Sequence, residues 1–378
     1  ANTNWSQFDS MRGVVTNQND YLLTPNSNAS ESSPVDFVDF TSTGFKLRTT
    51  AHDDTNRSGD MYIYVAIRRP DGYVGKPAEA GTDVFTMDVG NASTTIPSLD
   101  SGFPVDFGIV KQIASVNNWD VSARLIQERF IRTNSNTAGQ SSTGYTFDSN
   151  DGWGSASWLD STVQSWMWKR HAGFDVVTYS GGGSGNVLAH SLNAVPEMIW
   201  VKNRSQTYSW AVYHKDLNGG TNPEQYYLII NSTDGETSAT NRWNDIAPTS
   251  THFSIGGSNT TGNGGDNYIA MLFSSVEGIS KVGSYTGSGS GNTQTITTGF
   301  QPRFIIIKDY TGNGNPWYVM DTTRGWASGN DGILQLNDNA AELTGNDWGA
   351  PTATGFTVTG NGINLDSSSN KYIYYAHA

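Results

Sequence analysis

Internal repetition constrains the fold of this chain more than any other feature of its sequence. The clearest copy spans residues 282–378 and contains, in order, VGSYTGSGSGNTQTI, PRFIIIK, WYVMD, ILQLN, TGFTVTG and YIYYAHA. Residues 176–273 repeat this order with VVTYSGGGSGNVL, PEMIWVK, YYLIIN, THFSIGG and YIAMLF. Self-similarity at a fixed period predicts one structural unit built several times.

Two further copies are less complete. Residues 82–170 hold FTMDVGNASTTI, VDFGIVK, TGYTFDS and VQSWMWKR at the corresponding places, whereas residues 1–68 match only the back two thirds of the repeat, with DYLLTPN, TSTGFKLRT and YIYVAIRR. The predicted organisation is therefore a partial repeat, a Pro/Gly linker and three complete repeats, at 1–69, 70–81, 82–172, 173–281 and 282–378.

Each complete repeat contains about seven short apolar segments separated by turn residues every eight to twelve positions, which predicts an antiparallel β-sandwich. The chain is thus expected to be all-β, with tandem sandwiches of about 100 residues and an incomplete first repeat. Alternation in YIYVAI, FTVTG and WYVMD favours strands with one face in solvent. The short joints between repeats predict a semi-rigid string of units with limited interfaces.

Charge and composition exclude several classes of function. The net charge is -13 and no cluster of Lys and Arg exists, so nucleic acid is not an expected partner. The chain has no cysteine, which excludes disulfides, thiol catalysis and cysteine-ligated metals. No run of about eighteen apolar residues occurs, and membrane insertion is not expected.

A shared motif recurs in the first and last repeats. It reads Trp, three residues, Asp, two residues, Arg-Gly, and its members are Trp5, Asp9, Arg12 and Gly13, and Trp317, Asp321, Arg324 and Gly325. In the middle repeats Trp119 and Trp210 keep the Trp position, but Ala123 and His214 stand where the Asp would be. The motif is interpreted as architectural, a strand that ends in a turn where Asp or Arg caps backbone groups and Gly supplies positive φ; a binding loop is the alternative.

Aromatic residues divide according to whether they recur. A ring found at one position in several repeats is expected in the core, and these rings are Trp5, Trp119, Trp210 and Trp317, and Phe45, Tyr145, Phe253 and Phe356. Rings unique to one repeat and flanked by polar residues are candidates for binding sugars or other proteins. These candidate ligand-binding residues are Trp153, Trp158, Tyr310 and Trp326.

Metal binding and catalysis have weaker signals. The loop HDDTNRSGD places Asp53, Asp54, Asn56 and Asp60 close together, a set of oxygen ligands suited to Ca²⁺, although the distal Glu of an EF-hand is missing. No cofactor is otherwise expected, and the six histidines show no zinc-binding spacing. Glycoside hydrolysis by two carboxylates stays open without a positive signal, and no GxSxG motif indicates a hydrolase.

Longer phrases carry a resemblance over nearly the whole chain. They include YIYVAIRRPDGYVGKP, QSWMWKRHAGFDVVTYSG, HSLNAVPEMIWVKNRS and VYHKDLNGGTNPEQYY. In order and spacing the chain resembles a repeat domain of virion proteins of marine tailed bacteriophages, including cyanophages. The resemblance implies a non-enzymatic protein of the virion surface, in a tail fibre or host-attachment appendage.

That setting implies a set of partners. They are other virion proteins, further copies of the chain in a homo-oligomer with a trimer favoured, and a host surface glycan or protein. Three alternatives stay open: a capsid decoration or outer scaffold protein, a polysaccharide depolymerase, and an extracellular fibril subunit. Particle imaging separates the first and third from a fibre, and a reducing-sugar assay tests the second.

The first repeat lacks the front hairpin and the strand equivalent to PRFIIIK. An open sheet edge and apolar surface are therefore expected near Trp5, Phe8 and Tyr62, and another segment is expected to cover them. Three sources are possible: a longer polypeptide, a retained proteolytic fragment, or strand addition from a neighbouring subunit.

Overall fold

The computed structural model describes most of the chain. The described residues are 4–9, 14, 19–32, 35–41, 44–49, 55–67, 80–170, 172–289, 293–312, 314–360 and 362–378. The structure is all-β and consists of antiparallel sheets arranged as sandwiches. We call the partial repeat the first unit and the complete repeats the second, third and fourth units.

Strands follow one another through all four units. The first unit has β1 (Val38–Thr41) and β2 (Gly44–Leu47). The second has β3 (Phe85–Val89), β4 (Leu99–Asp100), β5 (Phe107–Gln112), β6 (Asp120–Ala123), β7 (Arg129–Arg132), β8 (Gln140–Ser141), β9 (Gly152–Trp153) and β10 (Val163–Trp168). The third has β11 (Phe174–Ser180), β12 (Asn186–Ala189), β13 (Met198–Asn203), β14 (Ala211–His214), β15 (Tyr226–Tyr227), β16 (Thr237–Ser238), β17 (His252–Ile255) and β18 (Asn267–Phe273). The fourth has β19 (Ser280–Thr286), β20 (Thr293–Thr297), β21 (Phe304–Asp309), β22 (Trp317–Asp321), β23 (Asp331–Gln335), β24 (Leu343–Asn346), β25 (Pro351–Thr352), β26 (Gly355–Thr359) and β27 (Lys371–His377).

Helical structure is confined to single turns. The α-helix spans Thr240–Trp243, and 3-10 turns lie at Gly81–Asp83, Arg124–Ile126, Leu217–Gly220, Pro223–Gln225 and Thr322–Arg324. In the part of the chain that the structure describes, no helix is long and apolar enough to cross a membrane.

Each complete unit pairs a large sheet with small ones. The large sheets have the strand orders β3-β10-β5-β6-β7-β8, β11-β18-β13-β14 and β19-β27-β21-β22-β23-β24. The small sheets are β4-β9 in the second unit, β12-β17 and β15-β16 in the third, and β20-β26-β25 in the fourth. In all three units the last strand of the unit inserts between its first strand and its central apolar strand. Strand β19 begins at Ser280, two residues inside the range predicted for the preceding unit.

The three large sheets pack their inner faces against one another in one central core. A pair of aromatic side chains connects each two of the three units. The pairs are Phe107 with Phe174, Phe273 with Tyr375, and Phe85 with Phe304, with ring centroids 5.4, 4.9 and 5.1 Å apart. Because second contacts third, third contacts fourth and fourth contacts second, the units close into a ring around this core.

The outer face of each large sheet packs against the small sheet of its own unit. Strand β21 shows the division, since Phe304 and Ile306 point to the central core while Ile305 and Ile307 join a separate core with Phe356 of β26. Alternation along the strand therefore sorts side chains between two apolar cores. The prediction of one wet face is wrong for WYVMD, since all five residues of β22 are buried.

Fusion of the units also corrects the predicted string of separate domains. The interfaces between the complete units were expected to be limited, yet their aromatic residues form a common core. The short joints keep successive units close together, so their apolar inner faces meet and exclude water. Burial of apolar surface is the dominant favourable term in folding.

The first unit is built on a much smaller scale. Its hairpin β1-β2 accompanies a cluster of Val14, Leu22, Phe37 and Val38, with Phe8 packed against it. Residues 61–67, predicted as the strand equivalent to β27, are in no helix or strand. Their large apolar side chains are exposed, from 36% at Tyr62 to 96% at Met61. In the complete units this strand is paired on both sides, and here neither neighbouring strand is present among the described residues.

Candidate functional site

Three equivalent joints hold the ring of units together, and the repeat tryptophans are their first component. All three rings are buried in the central core. Each donates its indole N–H to a backbone carbonyl oxygen of the adjacent unit: Trp119 to Gln335, Trp210 to Arg132 and Trp317 to Ile229, at 2.9, 2.7 and 3.0 Å. The recurrence of Trp in the repeat is thus explained by contacts between units as well as by burial.

A buried lysine forms the second component of each joint. The ammonium groups donate to carbonyl oxygens of their own loops and to one of the adjacent unit: Lys111 to Asn339, Lys202 to Asn136 and Lys308 to Thr233. Burial lowers the pKa values of Lys111 and Lys308 to about 8 and that of Lys202 to about 7. The sequence showed these lysines eight or nine residues before each Trp, but nothing in it indicated that they bridge units.

A backbone hydrogen bond completes each joint, two residues beyond the lysine. The acceptors are backbone carbonyl oxygens. The amide N–H of Gly139 donates to that of Arg204, the N–H of Glu236 to that of Tyr310 and the N–H of Glu342 to that of Ile113, at 2.8, 2.8 and 3.0 Å. The backbone geometry is shared, whereas the side chains differ. Two joints place a glutamate here, and the joint between the second and third units places Gly139 opposite Arg204.

The Trp-Asp-Arg-Gly motif of the fourth unit is architectural, as interpreted from the sequence. Asp321 is fully buried and accepts from the backbone N–H and the Nε of Arg324, at 3.0 and 2.7 Å. Its carboxylate also accepts from the indole N–H of Trp166 in the second unit at 2.9 Å. Gly325 has φ of 91°, in the left-handed region that favours glycine. The motif therefore ends β22 and ties two units together.

The first copy of the motif is described only in part. The expectation that Trp5 lies in a core is wrong, because it is 55% exposed, unlike its three buried counterparts. Asp9 belongs to the described residues, and Arg12 and Gly13 lie outside them.

Three of the four candidate ligand-binding aromatics are buried, so the expectation of exposed rings is wrong for them. Trp153 is fully buried, with its ring centroid 4.9 Å from that of Phe147. Tyr310 belongs to the central core, and Trp326 packs in the outer core of the fourth unit. Trp158 is 45% exposed and meets the ring of Tyr145 edge-on. Only Trp158 of the four offers a ring to a ligand.

The proposed calcium ligands are not brought together in the described part of the loop. Asp53 and Asp54 lie outside the described residues. The side-chain amide of Asn56 donates to the carbonyl oxygen of Thr49. The Oδ2 atom of Asp60 lies 3.9 Å from the Nε atom of Arg57. Among the residues that the structure describes, no group of three His, Asp or Glu could hold a metal.

Two buried histidines make the protein sensitive to acid. Burial lowers the pKa values of His214 and His377 to about 3. The unfolded chain binds a proton at each below about pH 6.5, while the folded chain excludes it down to about pH 3. The unfolded state therefore binds more protons in this window, and stability present above pH 6.5 is lost as the pH falls towards 3.

We expect His377→Phe to remove part of this acid sensitivity. The equivalent positions in the other units carry Phe273 and Trp168, so an aromatic hydrocarbon fits the site. Between pH 7 and pH 5 the wild type should lose about 2 kcal/mol more unfolding free energy than the variant. Urea unfolding at both pH values measures the difference. Equal losses in the two proteins would contradict the assignment.

The fold and its joints define a class: multi-unit β-sandwich proteins whose repeats share one core. The chain belongs to the family described as Domain of unknown function (DUF7483), whose family model matches residues 1–69 and 131–378. No curated protein matches the chain.

Proposed function

We propose that the protein is a non-enzymatic structural component of a phage virion surface, in a tail fibre or host-attachment appendage. The resemblance of its repeat phrases to phage virion proteins supports the virion setting. The fused ring of three sandwiches supports a mechanical role, because a body with one shared core transmits load without hinges between its units.

The observation that carries the proposal is the exposed apolar segment at residues 61–67. Ile63, Val65 and Ile67 are 79, 82 and 90% exposed. Soluble proteins seldom leave a run of apolar side chains in water, and such surfaces mark sites of association. In our proposal this segment joins copies of the chain into a homo-oligomer, with a trimer favoured, next to other virion proteins.

Host attachment is the second part of the proposal, and Trp158 supports it. Its half-exposed ring stands over Gly144, whose lack of a side chain leaves room for it. A flat aromatic face on the surface is the group that stacks on the apolar face of a sugar ring. Many weak contacts of this type, repeated across an oligomer, would add up to firm attachment.

The double variant Ile63→Asp/Val65→Asp tests the assembly role. Charge on the segment should prevent association. In sedimentation velocity at micromolar concentration we expect the wild type to be oligomeric and the double variant to be monomeric. The control is Trp158→Ala, which removes an exposed aromatic ring elsewhere and should leave the oligomeric state unchanged while weakening adsorption to host cells. A monomeric wild type, or a double variant that associates as well as wild type, would refute the assembly role.

A further inference from the structure

One joint of the ring carries an arginine pair that the other two joints lack. Arg204 in the third unit takes the place occupied by Tyr310 in the fourth unit and Ile113 in the second. Together with Arg129 of β7 it lines a cavity of about 540 Å³, whose other lining residues include Ile126, Gly139, Ser205 and Asn267.

Arg204 is buried without a counter-ion. Only 8% of the residue is exposed. Its Nε donates to the carbonyl oxygen of Tyr268 at 3.3 Å, and its Nη2 has no hydrogen-bond partner. Within the described residues, no carboxylate lies within ion-pair distance of Arg204 or Arg129. The Nη2 atom is closed off from solvent, so a ligand in the cavity would not reach it. A buried guanidinium without a partner carboxylate is nevertheless costly, and a negative charge bound beside it would offset that cost.

The neighbouring charge makes the pocket more positive still. Burial and, to a smaller extent, the positive charge of Arg129 lower the pKa of Arg204 to about 10. Arg204 therefore stays protonated at neutral pH. Two unpaired arginines in one cavity are unusual in a chain of net charge -13.

Comparison of the joints shows what is missing from this one. The backbone N–H that bonds to position 204 or its equivalents belongs to Glu342 and Glu236 in the other joints and to Gly139 here. The Glu342 carboxylate is used, since Arg324 donates to it at 2.6 Å. The joint with the arginine pair is thus the one in which the chain supplies no acid at this position.

We propose that this cavity binds an oxyanion, the carboxylate or phosphate group of a small molecule, between Arg129 and Arg204. Guanidinium groups bind planar carboxylates and phosphates through paired, charge-assisted hydrogen bonds. A volume of about 540 Å³ falls within the usual range for small-molecule pockets, so it holds more than a bare ion. Arg129 is exposed and gives the ligand access from solvent.

The test is a titration of the full chain with sodium phosphate, sodium glucuronate and glucose, at constant ionic strength and pH 7, with melting temperature as readout. Ligands that bind the folded state raise the melting temperature in a saturable manner. We expect phosphate or glucuronate to do so and glucose to have no effect. The stronger of the two anions identifies the group as phosphate or carboxylate.

Three variants make the result specific. Arg204→Met keeps the aliphatic stem and should weaken the apparent affinity at least about tenfold, the scale of one charge-assisted hydrogen bond. Gly139→Glu supplies the acid found at the other joints and should raise the melting temperature without anion while abolishing the response to anion. The control Arg303→Met alters another arginine without an ion pair, outside the cavity, and should keep the wild-type response.

The proposal is overturned if wild type shows no saturable shift with either anion. It is also overturned if Arg204→Met and Gly139→Glu respond as wild type does, because the shift would then be a general salt effect. Gly139→Glu leaves both arginines in place, so it decides the question even if Arg204→Met fails to fold.

Discussion

Replacing Trp210 with Ala is expected to lower the melting temperature of the second, third and fourth units together, in a single transition. The ring is fully buried in the core that all three units share, and its N–H bonds to the carbonyl oxygen of Arg132 in the second unit. Loss of a core Trp costs about 3–5 kcal/mol through the cavity left behind. Because the core is common, that cost falls on the whole ring.

Differential scanning calorimetry measures this outcome. One displaced transition is expected for Trp210→Ala, and the same behaviour for Trp119→Ala and Trp317→Ala, which break the other two joints. The surface variant Trp158→Ala serves as control and should melt near wild type. Appearance of a second transition at the wild-type temperature would show that a unit folds independently of the damaged one.

The second large effect is expected for Asp321→Ala. This carboxylate is fully buried and accepts from the side chains of Thr323, Arg324 and Trp166. Removing it deprives Arg324 of one partner and leaves a buried indole N–H unpaired. Breaking a buried ion pair from one side costs about 3–5 kcal/mol.

A second substitution separates the charge from the packing. Asp321→Asn keeps the size and one acceptor oxygen of the side chain but removes its charge, and should lose less unfolding free energy than Asp321→Ala in urea denaturation. Asp160→Ala is a matched control, because that aspartate is only half-buried and its side chain bonds, among the described residues, to its neighbour Thr162 alone. An Asp321→Asn variant no more stable than Asp321→Ala would mean that the hydrogen bonds and packing of this side chain do not hold the turn.

The repeat pattern predicted the β-sandwich fold correctly, and it predicted the burial of Trp119, Trp210 and Trp317 but was wrong for Trp5. It did not predict the ring. Alternation along a strand shows that Phe304 and Ile306 share one face and that Ile305 and Ile307 share the other. It does not show what each face meets: the first meets other units, as Phe304 meets Phe85, and the second meets Phe356 of its own unit. A strand face that packs in an apolar core was therefore predicted to lie in solvent.

The aromatic candidates illustrate the same limit on a smaller scale. Trp153 is unique to its unit and flanked by polar residues, yet its ring fills the space over Gly108, where a side chain would overlap it. A glycine inside the apolar run VDFGIVK was the available signal, since glycine within a strand often marks a close approach of another group. The anion pocket had no such signal, because it depends on the comparison of three joints in space.

Because the ring is closed, the start of the second unit and the end of the fourth unit lie side by side. Gly81, where the second unit begins, lies against Ala378 of the fourth: any side chain on Gly81 would overlap the Ala378 carbonyl oxygen. The three-unit body is thus circular in space although linear in sequence. Each unit offers one donating and one accepting side, and all six are occupied. A further unit has no vacant place in the circle, so the first unit lies outside it, with Asn19 beside Arg129 and Arg204 at the joint of the second and third units.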